Sequence, residues 1–156
     1  MQEPRIVQID FSAAFDRVNH LGILYKLCSV GIGGSVLPIL TQFLSNQLQH
    51  VIVYGCGSKL VNIVSGVPQG SVLGRLLFLL YTSERFSILE NKLIGNADDS
   101  TLMAVVPSPG LRVAVAESLI RDLGRVSEWR DLWEMKLIAR KTKTMIVSRS
   151  RTMHRQ

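Results

Sequence analysis

Lys92-Leu93-Ile94-Gly95-Asn96-Ala97-Asp98-Asp99-Ser100-Thr101-Leu102-Met103-Ala104-Val105-Val106 is the stretch whose reading decides the fold class. Two largely apolar runs flank the polar centre Asn96-Ala97-Asp98-Asp99, a layout that predicts a β-hairpin. A hairpin forces its two strands to pair antiparallel. Just upstream, Ser71 to Leu89 is strongly apolar and predicts a helix buried on most sides. It follows the Gly/Pro loop Ser65 to Gly70. Val51–Tyr54 and Leu60–Val64 flank Gly55-Cys56-Gly57-Ser58 and predict a second hairpin. Further back, Ser35 is placed to cap a helix running through Leu48, with Pro38 tolerated in its first turn. His20 to Val30 carries Leu21, Leu24, Leu27 and Cys28 at helical spacing, and Gly31 marks its stop. Arg5 to Phe11 is short and branched, as a buried strand is.

Downstream, Pro107-Ser108-Pro109-Gly110 breaks the chain. Leu111 to Trp133 is then the clearest amphipathic helix, with Leu111, Val115, Leu119, Leu123 and Val126 on one stripe. Lys136–Ile138 and Met145–Val147 are short strand candidates, and from Ser148 onward no apolar pattern remains. Strands and helices alternate, yet the hairpins require antiparallel pairing. The expected fold is α+β: an antiparallel sheet with helices packed on one face, of the split ferredoxin-like kind. At 156 residues the chain is long enough for one such domain, expected over residues 1–150, with 151–156 a disordered basic tail.

Composition excludes several classes. An apolar share of 47% with 19% charged residues is too hydrophobic for a disordered chain. No run of about 18 apolar residues offers a membrane-spanning helix; the longest candidate, Val72 to Tyr81, is broken by Gly74 and Arg75. The start lacks the layout of a secretory signal, and Cys28 and Cys56 have neither metal-ligand spacing nor a disulfide framework. An intracellular, reducing compartment is expected, not secretion. The formal charge of +6 is uneven. Met1 to Met135 holds eleven basic and twelve acidic residues, a net of −1, whereas Lys136 to Gln156 holds seven basic residues and no acid, a net of +7. Such a block is either a solvated tail or a contact for a phosphate backbone.

Asp10 follows an apolar strand, and Asp98 and Asp99 lie in the hairpin turn. An ionised carboxylate beside apolar sequence needs water, a cation or a donor. Two strands of one sheet can set Asp10 beside Asp98, where two like charges favour protonation unless a divalent ion binds both. By itself an Ala-Asp-Asp turn reads as structural, since Asp side chains bond nearby backbone groups. Asp16, similarly, reads as a cap for the helix starting near Val18. In Ser65-Gly66-Val67-Pro68-Gln69-Gly70-Ser71, two glycines permit close approach of a ligand, and Gln69 offers both donors and acceptors. The plain alternative is a hairpin-to-helix connection. His20, His50 and His154 form no ligand set, and Trp129 and Trp133 are expected to pack on the core.

Together these segments resemble the reverse transcriptases of non-LTR (LINE-like) retrotransposons. Asp10-Phe11-Ser12-Ala13-Ala14-Phe15-Asp16 is similar to the first palm motif, Ser65 to Gly74 around Pro68-Gln69-Gly70 to the second, and Asn96-Ala97-Asp98-Asp99 to the aromatic-x-Asp-Asp motif. Trp133 through Leu137, with Lys141-Thr142-Lys143-Thr144, is similar to the fourth. The resemblance implies a polymerase palm performing two-metal nucleotidyl transfer from a dNTP onto a primer 3′-hydroxyl, on an RNA or DNA template. Asp10, Asp98 and Asp99 would be the catalytic carboxylates holding two Mg²⁺ ions, with Mn²⁺ as an alternative. Phe11, Phe15, Gln69, Gly70 and Lys141 would serve the nucleotide. Lys136, Arg140 and Lys143 would hold nucleic-acid backbone.

Three positions depart from that family's pattern: Asn96 where Tyr or Phe is usual, Arg75 where Leu-Gly is followed by Pro, and Ile138 where Asn is usual before the lysine. The family's fingers and thumb are expected to be truncated here, belonging to a longer polyprotein. Two other readings stay open at this point, a decayed inactive remnant and a non-catalytic nucleic-acid-binding module.

Overall fold

A computed structural model describes residues 3–96 and 99–147, with Asn96 described by its backbone alone. In chain order its elements are β1 (Glu3–Ile9), α1 (His20–Ser29), α2 (Val36–Leu44), β2 (Leu48–Gln49), β3 (Ile52–Val53), β4 (Cys56–Gly57), β5 (Val61–Asn62), α3 (Val72–Thr82), β6 (Lys92–Asn96), β7 (Asp99–Val106), α4 (Arg112–Leu132) and β8 (Lys143–Ile146). They form two compact units. One takes Ala13–Ser83 with Trp133–Met135; the other takes Met1–Ser12, Glu84–Leu132 and Lys136–Gln156.

The second of these units is built on a four-stranded sheet in the order β6-β7-β1-β8, antiparallel throughout. Successive strand residues point to opposite faces, and the burial follows. Val7, Ile9, Leu102, Ala104 and Val106 are buried, while Gln8 and Val105 between them are exposed. Helix α4 packs against β7 and brings Leu119, Val126 and Trp129 into the core. Each such side chain contributes about 1.5–3 kcal/mol when fully buried. The ring of Phe11 meets that of Trp129 edge-on, centroids 6.0 Å apart.

The apolar stripe expected on α4 holds at Leu119 and Val126 but is extended by Trp129 and frays at its start, where Leu111 is 46% exposed. The stripe also contains a buried acid. Asp122 accepts hydrogen bonds from the backbone N–H of Glu90 (2.9 Å) and of Asn91 (2.8 Å), from Asn91 Nδ2 (2.8 Å) and from Arg125 Nη1 (3.1 Å). Burial pushes its carboxyl up; the donors outweigh that and hold it below the usual carboxylate range.

In the other unit Asn19 caps α1, its side chain accepting from Gly22 N at 3.1 Å. Asp16, expected as the cap, does other work. Lys26 is buried: its Nζ donates to the carbonyl of Tyr81 at 2.6 Å and lies 4.0 Å from the centroid of the Trp133 ring. The Tyr81 hydroxyl donates to the carbonyl of Trp133 at 2.6 Å. Burial raises the pKa of that phenol; the N–H of Asn19 acts against this and the charge of Glu134 adds to it.

Four expectations need correction. The hairpin region is two nested ribbons, β2 with β5 and β3 with β4, not one pair of longer strands. The inner turn is Tyr54-Gly55, with both φ values positive at 51° and 80°. Helix α2 ends at Leu44, short of Leu48. Helix α3 ends at Thr82, with Leu76 and Leu79 more than half exposed, so it is covered on one side only. Of the short C-terminal strands, Leu137 forms an isolated bridge with Phe11, and the regular strand begins at Lys143. The tail from residue 148 lies outside the described residues.

Candidate active site

The register of the sheet sets the carboxylate site. Ile9 pairs with Ser100 at the end of the β1–β7 ladder. Asp10 directly follows Ile9 and Asp99 directly precedes Ser100, so the two acids lie at the same end of the paired strands. Asp99 is exposed and pairs with Asn96 across the hairpin. Asp98 lies outside the described residues.

Asp10 is also gripped from its other side. Its carbonyl accepts from Ile138 N at 3.0 Å, and Ser12 N donates to the carbonyl of Lys136 at 2.7 Å. Between the Phe11–Leu137 bridge and the Gln8–Lys143 pair, the C-terminal strand bulges out as a 3-10 turn, Ala139–Lys141. The turn closes on Ile138, whose carbonyl accepts from Lys141 N at 2.9 Å. From it the Lys141 Nζ reaches Asp10 Oδ2 at 2.9 Å. Lys136, Arg140 and Lys143 are all exposed. Phe11 is 2% exposed and stacked into the core.

A separate pocket lies in the other unit. Phe15 is half-buried and stacks on Phe78, centroids 4.2 Å apart. With Pro68, Gln69, Gly70, Ser71, Gly74 and Arg75 it lines a cavity of about 170 Å³. The Pro68-Gln69-Gly70 loop is tied to the Phe15–His20 segment. Gly66 N donates to Val18 O at 2.8 Å, Val67 N to Phe15 O at 2.9 Å, Ser65 Oγ to Asp16 O at 2.9 Å, and Gln69 Nε2 to Asp16 Oδ1 at 2.8 Å. His20 Nε2 lies 2.7 Å from Gly66 O. Ser71 caps α3 by accepting from Gly74 N at 2.9 Å. A Cβ on Gly74 would collide with Pro68 O, so this glycine is needed for close packing. Arg75, on the open side of α3, is exposed to water.

Asp16, Ser65 and His20 are thus parts of the site's frame that sequence reasoning missed. A larger cavity of about 690 Å³ is lined by Gln47, Gln49, Asn62, Asp16 and Gln69 among others. Among the described residues no three His, Cys, Asp or Glu side chains gather into a metal cage. The oxygen donors of Asp10 and Asp99 are nonetheless of the hard type that Mg²⁺ takes, one or two carboxylates completed by substrate phosphates. Asp10 already carries a cation, the Lys141 ammonium. Among the described residues no helix is long and apolar enough to cross a membrane.

Several known proteins resemble this chain. The chain is 31% identical over 140 residues to the RNA-directed DNA polymerase from mobile element jockey of Drosophila funebris, which covers 85% of this chain and 15% of that relative. It is 36% identical over 76 residues to the probable RNA-directed DNA polymerase from transposon X-element of Drosophila melanogaster, covering 49% of this chain and 8% of the relative. The chain therefore spans about a sixth or less of the length of these relatives. Among solved structures, apo telomerase from Candida tropicalis superposes with a TM-score of 0.68 at 13% identity, covering 97% of this chain and 32% of that one. The same organism's telomerase in complex with a TWJ fragment of telomeric RNA gives 0.69 at 13% identity, over 94% of this chain and 26% of that one. These two likenesses establish the palm-like fold. The family model for reverse transcriptase (RNA-dependent DNA polymerase) matches residues 2–154, leaving almost nothing of the sequence outside it, and the chain belongs to the reverse transcriptase family.

Proposed function

We propose that this chain is the palm of an RNA-directed DNA polymerase of a non-LTR retrotransposon, transferring a nucleotidyl group from a dNTP onto a primer 3′-hydroxyl along an RNA template. The observation that carries the reading is the register of β1 and β7, which brings Asp10 and Asp99 to the same end of two paired strands. Asp98, next in sequence, would complete the carboxylate set. Two Mg²⁺ or Mn²⁺ ions held by these acids would stabilise the attacking and leaving oxygens of the displacement.

The chain's own contribution is positioning and charge. Asp10 is held by backbone on one side through Ile9 and on the other through Ile138. Phe15, backed by Phe78, offers a flat apolar surface beneath a sugar ring. Gln69 and Gly70 border the same cavity, where an amide and an open backbone can meet a nucleotide. Lys141 would face the triphosphate, and Lys136, Arg140 and Lys143 would hold nucleic-acid phosphates without reading sequence. RNA template, DNA primer and dNTP are then the partners, together with the remaining segments of a longer polyprotein. The place of action is inside the cell, nucleus or cytoplasm.

The test is primer extension on a poly-A template with Mg²⁺, beside an Asp98→Ala control. Extension that vanishes in the control supports the reading. Extension that survives the substitution refutes the assignment of the carboxylates.

A further inference from the structure

Lys141 and Asp10 meet at 2.9 Å, yet the two side chains are unequally placed: the acid is 19% exposed and the lysine 60%. A carboxylate so far withdrawn from water requires a cation or several donors. Among the described residues Lys141 is the only side chain that supplies one. The contact is built in. The turn carrying Lys141 closes on Ile138, and Ile138 is itself fastened to the backbone carbonyl of Asp10 at 3.0 Å. The acid therefore anchors, through its backbone, the loop that delivers a cation to its own side chain. An ammonium at Asp10 Oδ2 occupies one of the two carboxylate oxygens open to a divalent ion, and a dication on the same carboxylate is repelled by it.

We infer that Lys141 is a resident counter-cation of Asp10, which competes with divalent metal for the carboxylate and must swing away before metal is held. This regulation of the site rests on the metal-binding reading above. Because the lysine is mostly solvated, the hold is weak and readily reversed, as exposed ion pairs are. The ammonium balances the acid until a stronger cation arrives, and is released into solvent by that arrival.

The experiment is a titration of the chain with Mn²⁺, free ion being read by electron paramagnetic resonance, in the absence of nucleotide and nucleic acid. Wild type, Lys141→Gln, Lys141→Arg and Asp10→Asn are compared, with thermal melting as the check on folding. Lys141→Gln is expected to bind Mn²⁺ about threefold more tightly at low salt, the scale on which exposed ion pairs act. Lys141→Arg is expected to match wild type, and Asp10→Asn to bind more weakly than either. The gap between Lys141→Gln and wild type is expected to narrow as monovalent salt screens the pair. Lys141→Ala is a second neutral replacement, read in the same way.

Unchanged or weaker binding in both neutral variants overturns the inference. If Asp10→Asn still weakens binding in that case, the metal site stands and only the competition fails. If neither wild type nor the neutral variants bind Mn²⁺, the metal reading and the competition fall together.

Discussion

Gln69 Nε2 donates a hydrogen bond of 2.8 Å to Asp16 Oδ1, tying the Pro-Gln-Gly loop to the turn that follows the first carboxylate. Gln69→Glu replaces that donor with a second carboxylate against Asp16. Like charges at such a distance repel until one of them takes a proton. The variant is expected to melt about 1–3 °C below wild type at pH 7, the range for a change of under about 1 kcal/mol in a chain of this size. Melting curves check it, beside the same change made in an Asp16→Asn background; an equal loss in both backgrounds would mean that Asp16 is not the cause.

Two glycines of the same loop should answer differently to alanine. Gly66 has φ of 93°, and an added Cβ would sit 2.8 Å from Asp16 Cα and 3.0 Å from the carbonyl oxygens of Asp16 and Phe15. Backbone cannot yield as a flexible side chain can. Gly70 has φ of 83° with nothing within 4 Å of its Cβ. Gly70→Ala is expected to cost about 1–2 kcal/mol, the left-handed penalty alone. Gly66→Ala should cost at least about 3 kcal/mol, because overpacking adds to that penalty. Denaturant unfolding of both variants measures the order.

Asp122 should act as an acid-sensitive lock between α4 and the Leu89–Asn91 segment. Its folded pKa lies below the ordinary 3.8. Its stabilisation is therefore present in full above the unfolded value and is lost as pH falls through the lower folded one. Asp122→Asn is expected to lose about 1–3 kcal/mol at neutral pH, from the weakened bonds to Asn91 and Arg125. Below about pH 4 the gap to wild type should close. Urea unfolding at a series of pH values tests both statements. A gap that persists at the acid end would assign the loss to packing.

The exposed cations Lys136, Arg140 and Lys143 should betray themselves through salt. Each phosphate contact contributes roughly 0.7 to 0.9 to the slope of log affinity against log salt. Replacing all three by alanine is expected to flatten that slope by about 2 for a primer–template duplex. The binding that remains should show no change in sequence preference. Fluorescence anisotropy between low and moderate salt checks it.

Much of the sheet was legible because its signals are local. The β6–β7 hairpin announces itself through aliphatic and β-branched runs around a polar turn, and β1 through its branched residues. The nested ribbons were not legible. Their inner turn uses Tyr54, an aromatic residue at positive φ, which no propensity favours. Asp122 hid within an apolar stripe, since its partners Glu90 and Asn91 come from a distant segment. Helix α3 looked buried on most sides because its composition is strongly apolar, and composition alone does not tell which side is covered. At the candidate site the carboxylates could be picked out by their apolar neighbours. The reach of Lys141 to Asp10 depends on a bulge in strand pairing that no periodicity encodes.

The position of β1 between β7 and β8 has a consequence for biosynthesis. A ribosome releases Arg5 long before Ala104 and Ile146, the residues that flank it in the finished sheet. Until then the nascent strand presents two bare edges, each a template for foreign β-strands. A pause in translation ahead of Lys143 would prolong that exposure, so codon choice in the stretch before it bears directly on how much of the product escapes aggregation.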